Sequence, residues 1–178
     1  MSDPYLAIGP EEPAEYTAWT EKDRFAIELS PEEYLRKLDV YGARVPEGKS
    51  IWEKDPRVDR SLPEYLEALS GYSADLREDA RRVWESDPHV SQSFLNYLAR
   101  YMEVYPLFGS LERVRGVWSK DTETRDDLPT YARRMHTAKV KLPDMEQHLS
   151  EWESEGKKTT LIEFVKQRRS STGINSWF

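Results

Sequence analysis

The chain of 178 residues contains no cysteine. That absence excludes disulfides, zinc–thiolate sites, iron–sulfur clusters and cysteine nucleophiles together, and it suits a reducing compartment. Glycine is scarce as well, at 8 residues. Little material is left for a nucleotide cradle, and neither the Gly-x-x-x-x-Gly-Lys loop nor the Gly-x-Ser-x-Gly elbow occurs. No stretch approaches the run of about 18 apolar residues that a membrane span requires. The opening MSDPYLAIGPEEP lacks a basic-then-apolar signal design. These shortages point to a soluble, folded, cytoplasmic protein without cofactor or metal.

Aromatic residues are plentiful by contrast. Six tryptophans and ten tyrosines argue against disorder although 33% of the residues are charged. The formal net charge is −7, and it is unevenly spread. Residues 1–90 hold 21 acidic and 12 basic side chains, a balance of −9, whereas residues 91–178 hold 12 and 14, a balance of +2. Such a field steers association but does not select a fold.

Five tryptophans fall at positions 19, 52, 84, 118 and 152, separated by 33, 32, 34 and 34 residues. Their surroundings recur too. Between Ile51–Leu66 and Val83–Leu98, eight of sixteen positions are identical: Trp, Glu, Asp, Pro, Val, Ser, Tyr and Leu. The stretch from Val117 keeps Trp118, Lys120, Asp121, Leu128, Pro129 and Tyr131 in the same register. Trp19 leads into Glu21-Lys22-Asp23 and then Pro31, Tyr34 and Leu35 with small shifts, and Trp152 keeps only Glu153 beside it.

Each repeat reads as a helix, a short turn, a second helix ending at tryptophan, and an Asp-Pro corner. Ser30-Pro31-Glu32-Glu33 and Ser61-Leu62-Pro63-Glu64 are helix starts, with a cap, an early proline and an acidic third residue. Leu76, Ala80, Val83 and Trp84 form an apolar stripe of helical period, as do Leu111, Val114, Val117 and Trp118, and Met145, Leu149 and Trp152. Asp55-Pro56 and Asp87-Pro88 break the chain, since a residue before proline avoids the helical basin. Gly42–Trp52 looks too short and too broken by glycine and proline for a full helix, so one element is expected to be missing there. The run Phe25–Leu29 alternates only briefly and leads into a helix cap. The expected fold is therefore all-α, a helix-pair (α-solenoid-like) array with a period of about 33 residues. It spans residues 1–169 as one domain, followed by a flexible spacer and aromatic tail at 170–178. The period is similar to that of helix-pair solenoids. The glycine and alanine positions of the tetratricopeptide pattern are absent, and no family is assigned.

Recurrence also separates scaffold from site. An aromatic cage for a cation occurs once, whereas Trp52, Trp84 and Trp118 occupy the same place in successive repeats and are expected in the core. The recurring aspartates are expected to cap the turns that follow them. The histidines, His89, His136 and His148, are scattered; His148 follows Asp144 by four residues as a helix-surface pair, and no Glu-x-x-His pair occurs. Carboxylate pairs such as Glu32-Glu33 and Asp126-Asp127 lie in hydrophilic settings, without the apolar wall that raises a catalytic pKa. No catalytic residues are therefore assigned.

Two basic stretches, Arg133-Arg134-His136-Lys139-Lys141 and Lys166-Arg168-Arg169, suit phosphate contact. The net charge of −7 opposes nucleic-acid binding. The tail Ile174-Asn175-Ser176-Trp177-Phe178 stands outside the repeat register and places two large aromatics where they must dock in cis or in trans. Ile174, Trp177, Phe178, Arg133 and Arg134 are therefore the candidate partner-binding residues. The function expected is a non-catalytic protein–protein interaction module, an adaptor or accessory subunit with another protein as partner. The alternatives are a helical subunit of an enzyme whose chemistry lies on another chain, and an inhibitor or effector that blocks its target.

Overall fold

The computed structural model describes residues 29–174, with side chains through Ser171. The chain is all-helical, with nine α-helices, one short 3-10 turn and no strand among the described residues. The repeat expected around Trp19, most of the run Phe25–Leu29, and the tail residues Trp177 and Phe178 lie outside them. The chain divides into two compact units. One runs to Arg77 and includes Ser93–Leu95; the other comprises Glu78–Gln92 and the residues from Asn96 onward.

In the first unit, cap chemistry sets the helix starts. Helix α1 (Pro31–Asp39) opens with a closed capping box. The Ser30 hydroxyl accepts from the Glu33 amide at 3.2 Å, and the Glu33 carboxylate accepts from the Ser30 amide at 3.1 Å. A 3-10 turn, Gly42–Arg44, follows; Gly42 has φ +48°, a conformation that a Cβ would strain. Helix α3 (Leu62–Ser70) opens with a second capping box, Ser61–Glu64. Helices α1 and α2 (Val45–Lys54) pack on α3 around Tyr34, Leu38, Ile51, Trp52, Leu62, Tyr65 and Leu66, all buried.

The stretch expected to lack a helix forms a full one, α2 (Val45–Lys54). Both supposed breakers are placed where they do no harm. Pro46 falls in the first turn, where its missing N–H has no intrahelical acceptor to serve. Gly48 is buried where Leu66 closes on the backbone, and a Cβ there would stand 2.1 Å from Leu66 Cδ2. Glycine in this helix is thus a packing requirement.

The second unit holds most of helix α4 (Ala74–Ser86), helix α5 (Phe94–Phe108) from Asn96, and helices α6 (Glu112–Trp118), α7 (Leu128–Thr137), α8 (Leu142–Ser154) and α9 (Leu161–Ile174). Helix α6 packs on α7 and α8, and α8 packs on α9. The core is lined by Val83, Tyr97, Leu98, Tyr101, Val114, Tyr131, Met135, Trp152, Leu161 and Val165. Asp127 caps α7, accepting from the Thr130 amide at 3.0 Å. The polar stretch Ser170–Gly173, expected as a spacer, continues α9 instead. Its serine hydroxyls donate back to helix carbonyls, Ser170 to Lys166 at 3.0 Å and Ser171 to Gln167 at 2.9 Å.

Candidate functional site

The tryptophans expected in the core are there. Trp52 and Trp152 are fully enclosed, and Trp84 and Trp118 are buried at their helix ends. Each indole N–H finds a carbonyl a few residues on, which is what a buried indole requires. Trp52 donates to Arg60 at 3.0 Å, Trp84 to Gln92 at 3.5 Å, Trp118 to Asp126 at 2.9 Å and Trp152 to Thr159 at 2.7 Å. In every case the accepting residue immediately precedes the cap of the next helix.

Three residues beyond Trp52, Trp84 and Trp118 stands an aspartate, buried in all three cases: Asp55, Asp87 and Asp121. One oxygen of Asp55 accepts from the Arg57 amide at 3.0 Å, and one of Asp87 from the His89 amide at 2.9 Å. That is the local turn cap read from the sequence. The other oxygen does something the sequence did not announce. It accepts the first amide of a helix 39–41 residues further on: Asp55 from Phe94 at 2.8 Å, Asp87 from Leu128 at 3.1 Å, Asp121 from Leu161 at 2.8 Å. The same oxygen of Asp87 and Asp121 accepts from a tyrosine ten residues on, Tyr97 at 3.4 Å and Tyr131 at 2.9 Å. A carboxylate at a helix N-terminus satisfies an orphan donor and meets the positive end of the dipole.

Burial dominates the electrostatics of these clamps. Desolvation raises the pKa of Asp87 and Asp121 above the ordinary carboxylate value. The amides of His89 and Leu128 at Asp87, and the Leu161 amide and Tyr131 hydroxyl at Asp121, offset part of the rise. The phenols of Tyr97 and Tyr131 are pushed up by burial and then by the adjacent carboxylate. Tyr101 is raised in the same way, by burial and its bond to Asp79. Neutral tyrosines donating to carboxylates hold helices; they are not poised as bases.

The candidate partner-binding residues fare differently from one another. Arg133 and Arg134 sit on α7, where Arg133 pairs with Glu103, and Arg134 with Asp126 at 2.5 Å and Glu163 at 3.8 Å. Both remain partly exposed. Ile174 is the final residue of α9, and Trp177 and Phe178 lie outside the described residues. The structure brings the two basic stretches together, since Arg169 donates to the Lys139 carbonyl at 2.6 Å. Carboxylates accompany them: Lys166 meets Glu163 at 3.2 Å, Arg168 meets Glu151 at 2.8 Å, and Arg169 meets Asp144 at 3.7 Å.

His148 turns towards Glu151, 3.0 Å from its carboxylate, and lies edge-on to Phe164; its expected neighbour Asp144 pairs with Arg169 instead. Among the described residues no group of three or more histidines and carboxylates converges as a metal site. No helix among them is long and apolar enough to cross a membrane. Comparisons with protein-family models, curated proteins and solved structures give no match.

Proposed function

We propose that this chain is a non-catalytic protein–protein interaction module, an adaptor or accessory subunit working in the cytoplasm. We propose with it that residues 1–169 are a helix-pair repeat of about 33 residues, the framework on which the binding surface is displayed. One observation carries the reading: the same clamp, a buried aspartate three residues after a buried tryptophan, receives a helix start at Asp55, Asp87 and Asp121. The recurring polar groups are thereby committed to joining helices. Arrays built on recurring junctions leave extended outer faces for partners.

Partner contact falls to Arg133 and Arg134 and to Ile174, Trp177 and Phe178 at the C-terminal end of the sequence. The test is affinity capture from the native source with three baits: wild type, Arg133→Ala, and Trp177→Ala with Phe178→Ala. The expected result is one defined protein retained at near-equal stoichiometry by the wild type and depleted with at least one variant. A partner held equally by all three baits sinks the site assignment, and no stoichiometric partner sinks the function. Adding the chain back to a captured enzyme separates the alternatives, because an accessory subunit raises its activity and an inhibitor lowers it.

A further inference from the structure

Along the α8–α9 pair runs a cleft of about 360 Å³ whose walls include Trp152, Glu155, Phe164, Gln167, Arg168 and Ser171. Each stands in register with a residue of the two junctions before it. Trp118, Asp121, Tyr131, Arg134, Met135 and Ala138 lie 33 or 34 positions earlier, and Trp84, Asp87, Tyr97, Arg100, Tyr101 and Val104 another 34. Both earlier junctions receive the start of a helix. Asp87 accepts the Leu128 amide of α7, and Arg100 donates to Thr130 in its first turn at 2.6 Å. Asp121 accepts the Leu161 amide of α9, and Arg134 pairs with Glu163 in its first turn at 3.8 Å. At the Trp152 junction no helix starts among the described residues.

The groups that receive a helix are nonetheless in place. Glu155 stands where the aspartates stand, one methylene longer and exposed. It pairs with Arg168, which also meets Glu151 at 2.8 Å, so Glu155 can turn to an incoming amide without stranding the guanidinium. Gln167 replaces the two arginines and keeps a polar head for the same first turn. We propose that the cleft receives the N-terminus of a helix from another protein, one capped by serine, threonine or aspartate and opening with leucine or phenylalanine. The occupant's chemistry is that of the starts received elsewhere in the chain, Ser93-Phe94, Asp127-Leu128 and Thr160-Leu161, whose first helical residue is wholly buried each time. Glu155 meets the orphan amide and the positive end of the dipole. Lys157 and Lys158, also in the cleft wall, favour acidic residues in the partner's first turn. A second copy of this chain would offer α1, which opens with Pro31 and has no first amide to donate. The inference rests on the repeat and partner-binding readings above and adds this cleft to the partner's contacts.

The probe is a synthetic peptide of residues 126–139, the α7 start with its cap, carrying a fluorophore at its C-terminal end. By fluorescence anisotropy the full chain should bind it saturably, with Kd below about 1 mM. A peptide with Leu128→Ala should bind at least about tenfold more weakly, having lost a buried apolar side chain. In the protein, Glu155→Ala removes the acceptor and Ser171→Trp fills the cleft from an exposed position. Each should weaken binding at least about tenfold, whereas Glu153→Ala, exposed on α8 outside the cleft, should leave it unchanged. Circular dichroism of each variant confirms that all share the parent fold. No saturable binding, or binding left intact by either cleft variant, would overturn the proposal. Peptide binding that appears only when residues 175–178 are deleted would overturn it by giving the cleft to the chain's own end, and self-association abolished by Ser171→Trp would give it to a second copy. Used as a bait in the capture experiment, Ser171→Trp separates this inference from the function. A partner retained in full by that bait sinks the inference and leaves the function standing, whereas peptide binding at the cleft with no partner captured does the reverse.

Discussion

A single aspartate shows how much one buried carboxylate carries. Asp121 holds the first amide of α9 and the Tyr131 hydroxyl with one oxygen, and both donors are buried with it. Replacing Asp121 by alanine leaves an amide and a phenol without an acceptor, each costing about 1–3 kcal/mol. Asparagine retains one carbonyl oxygen and about the same volume. We expect Asp121→Ala to destabilise the protein clearly more than Asp121→Asn in urea denaturation. The raised pKa of Asp121 also indicates that the site tolerates a neutral side chain better than water does. Equal losses for the two variants would show that the hydrogen bonds contribute little beyond shape.

Among the helices, the most informative is α2, because residue types alone misjudge it. Alanine at position 48 improves intrinsic helix propensity by about 1 kcal/mol, yet its methyl would meet Leu66 at 2.1 Å. Overpacking of this kind costs about 1–3 kcal/mol. Gly48→Ala should therefore lower stability, and Leu66→Val should recover part of the loss in a double-mutant cycle; additive losses would show that Leu66 is not the obstacle. Elements whose ends are written in local chemistry are legible from sequence. Ser30–Glu33 and Ser61–Glu64 announce α1 and α3, and the tryptophan stripes announce α4, α6 and α8. What escapes is whatever depends on a distant neighbour. Gly48 reads as a breaker until Leu66 is seen against it. Asp55 and Asp87 read as turn caps, which describes one oxygen of each and leaves out the helix start that the other receives. The serines at 170 and 171 read as spacer because their back-bonding requires a helix already in place.

For the molecule as a whole, the clamps at Asp87 and Asp121 bear on how stability depends on pH. Asp87 and Asp121 have folded-state pKa values above their unfolded ones. At these two groups the folded protein therefore binds more protons than the unfolded chain does, in a window opening near the ordinary Asp value of about 3.9 and extending upward. Their contribution to stability is full below that window and is lost as pH rises through the folded values. Exposed carboxylates such as Glu146, held below the usual range by Arg113, act in the opposite sense. Substituting asparagine at both 87 and 121 should make stability fall less steeply with rising pH across the window, as read by urea midpoints at a series of pH values. A steeper fall would contradict the burial-driven shift. The clamps also bear on how the molecule is made. Each one joins residues only 39–41 positions apart, so no contact of this kind waits for the opposite end of the chain. Low sequence separation favours rapid folding, and synthesis at about 5–20 residues per second brings each receiving helix out within seconds of its aspartate. The junctions at Asp55 and Asp87 can thus close in order from the N-terminus while the ribosome is still adding helices α8 and α9.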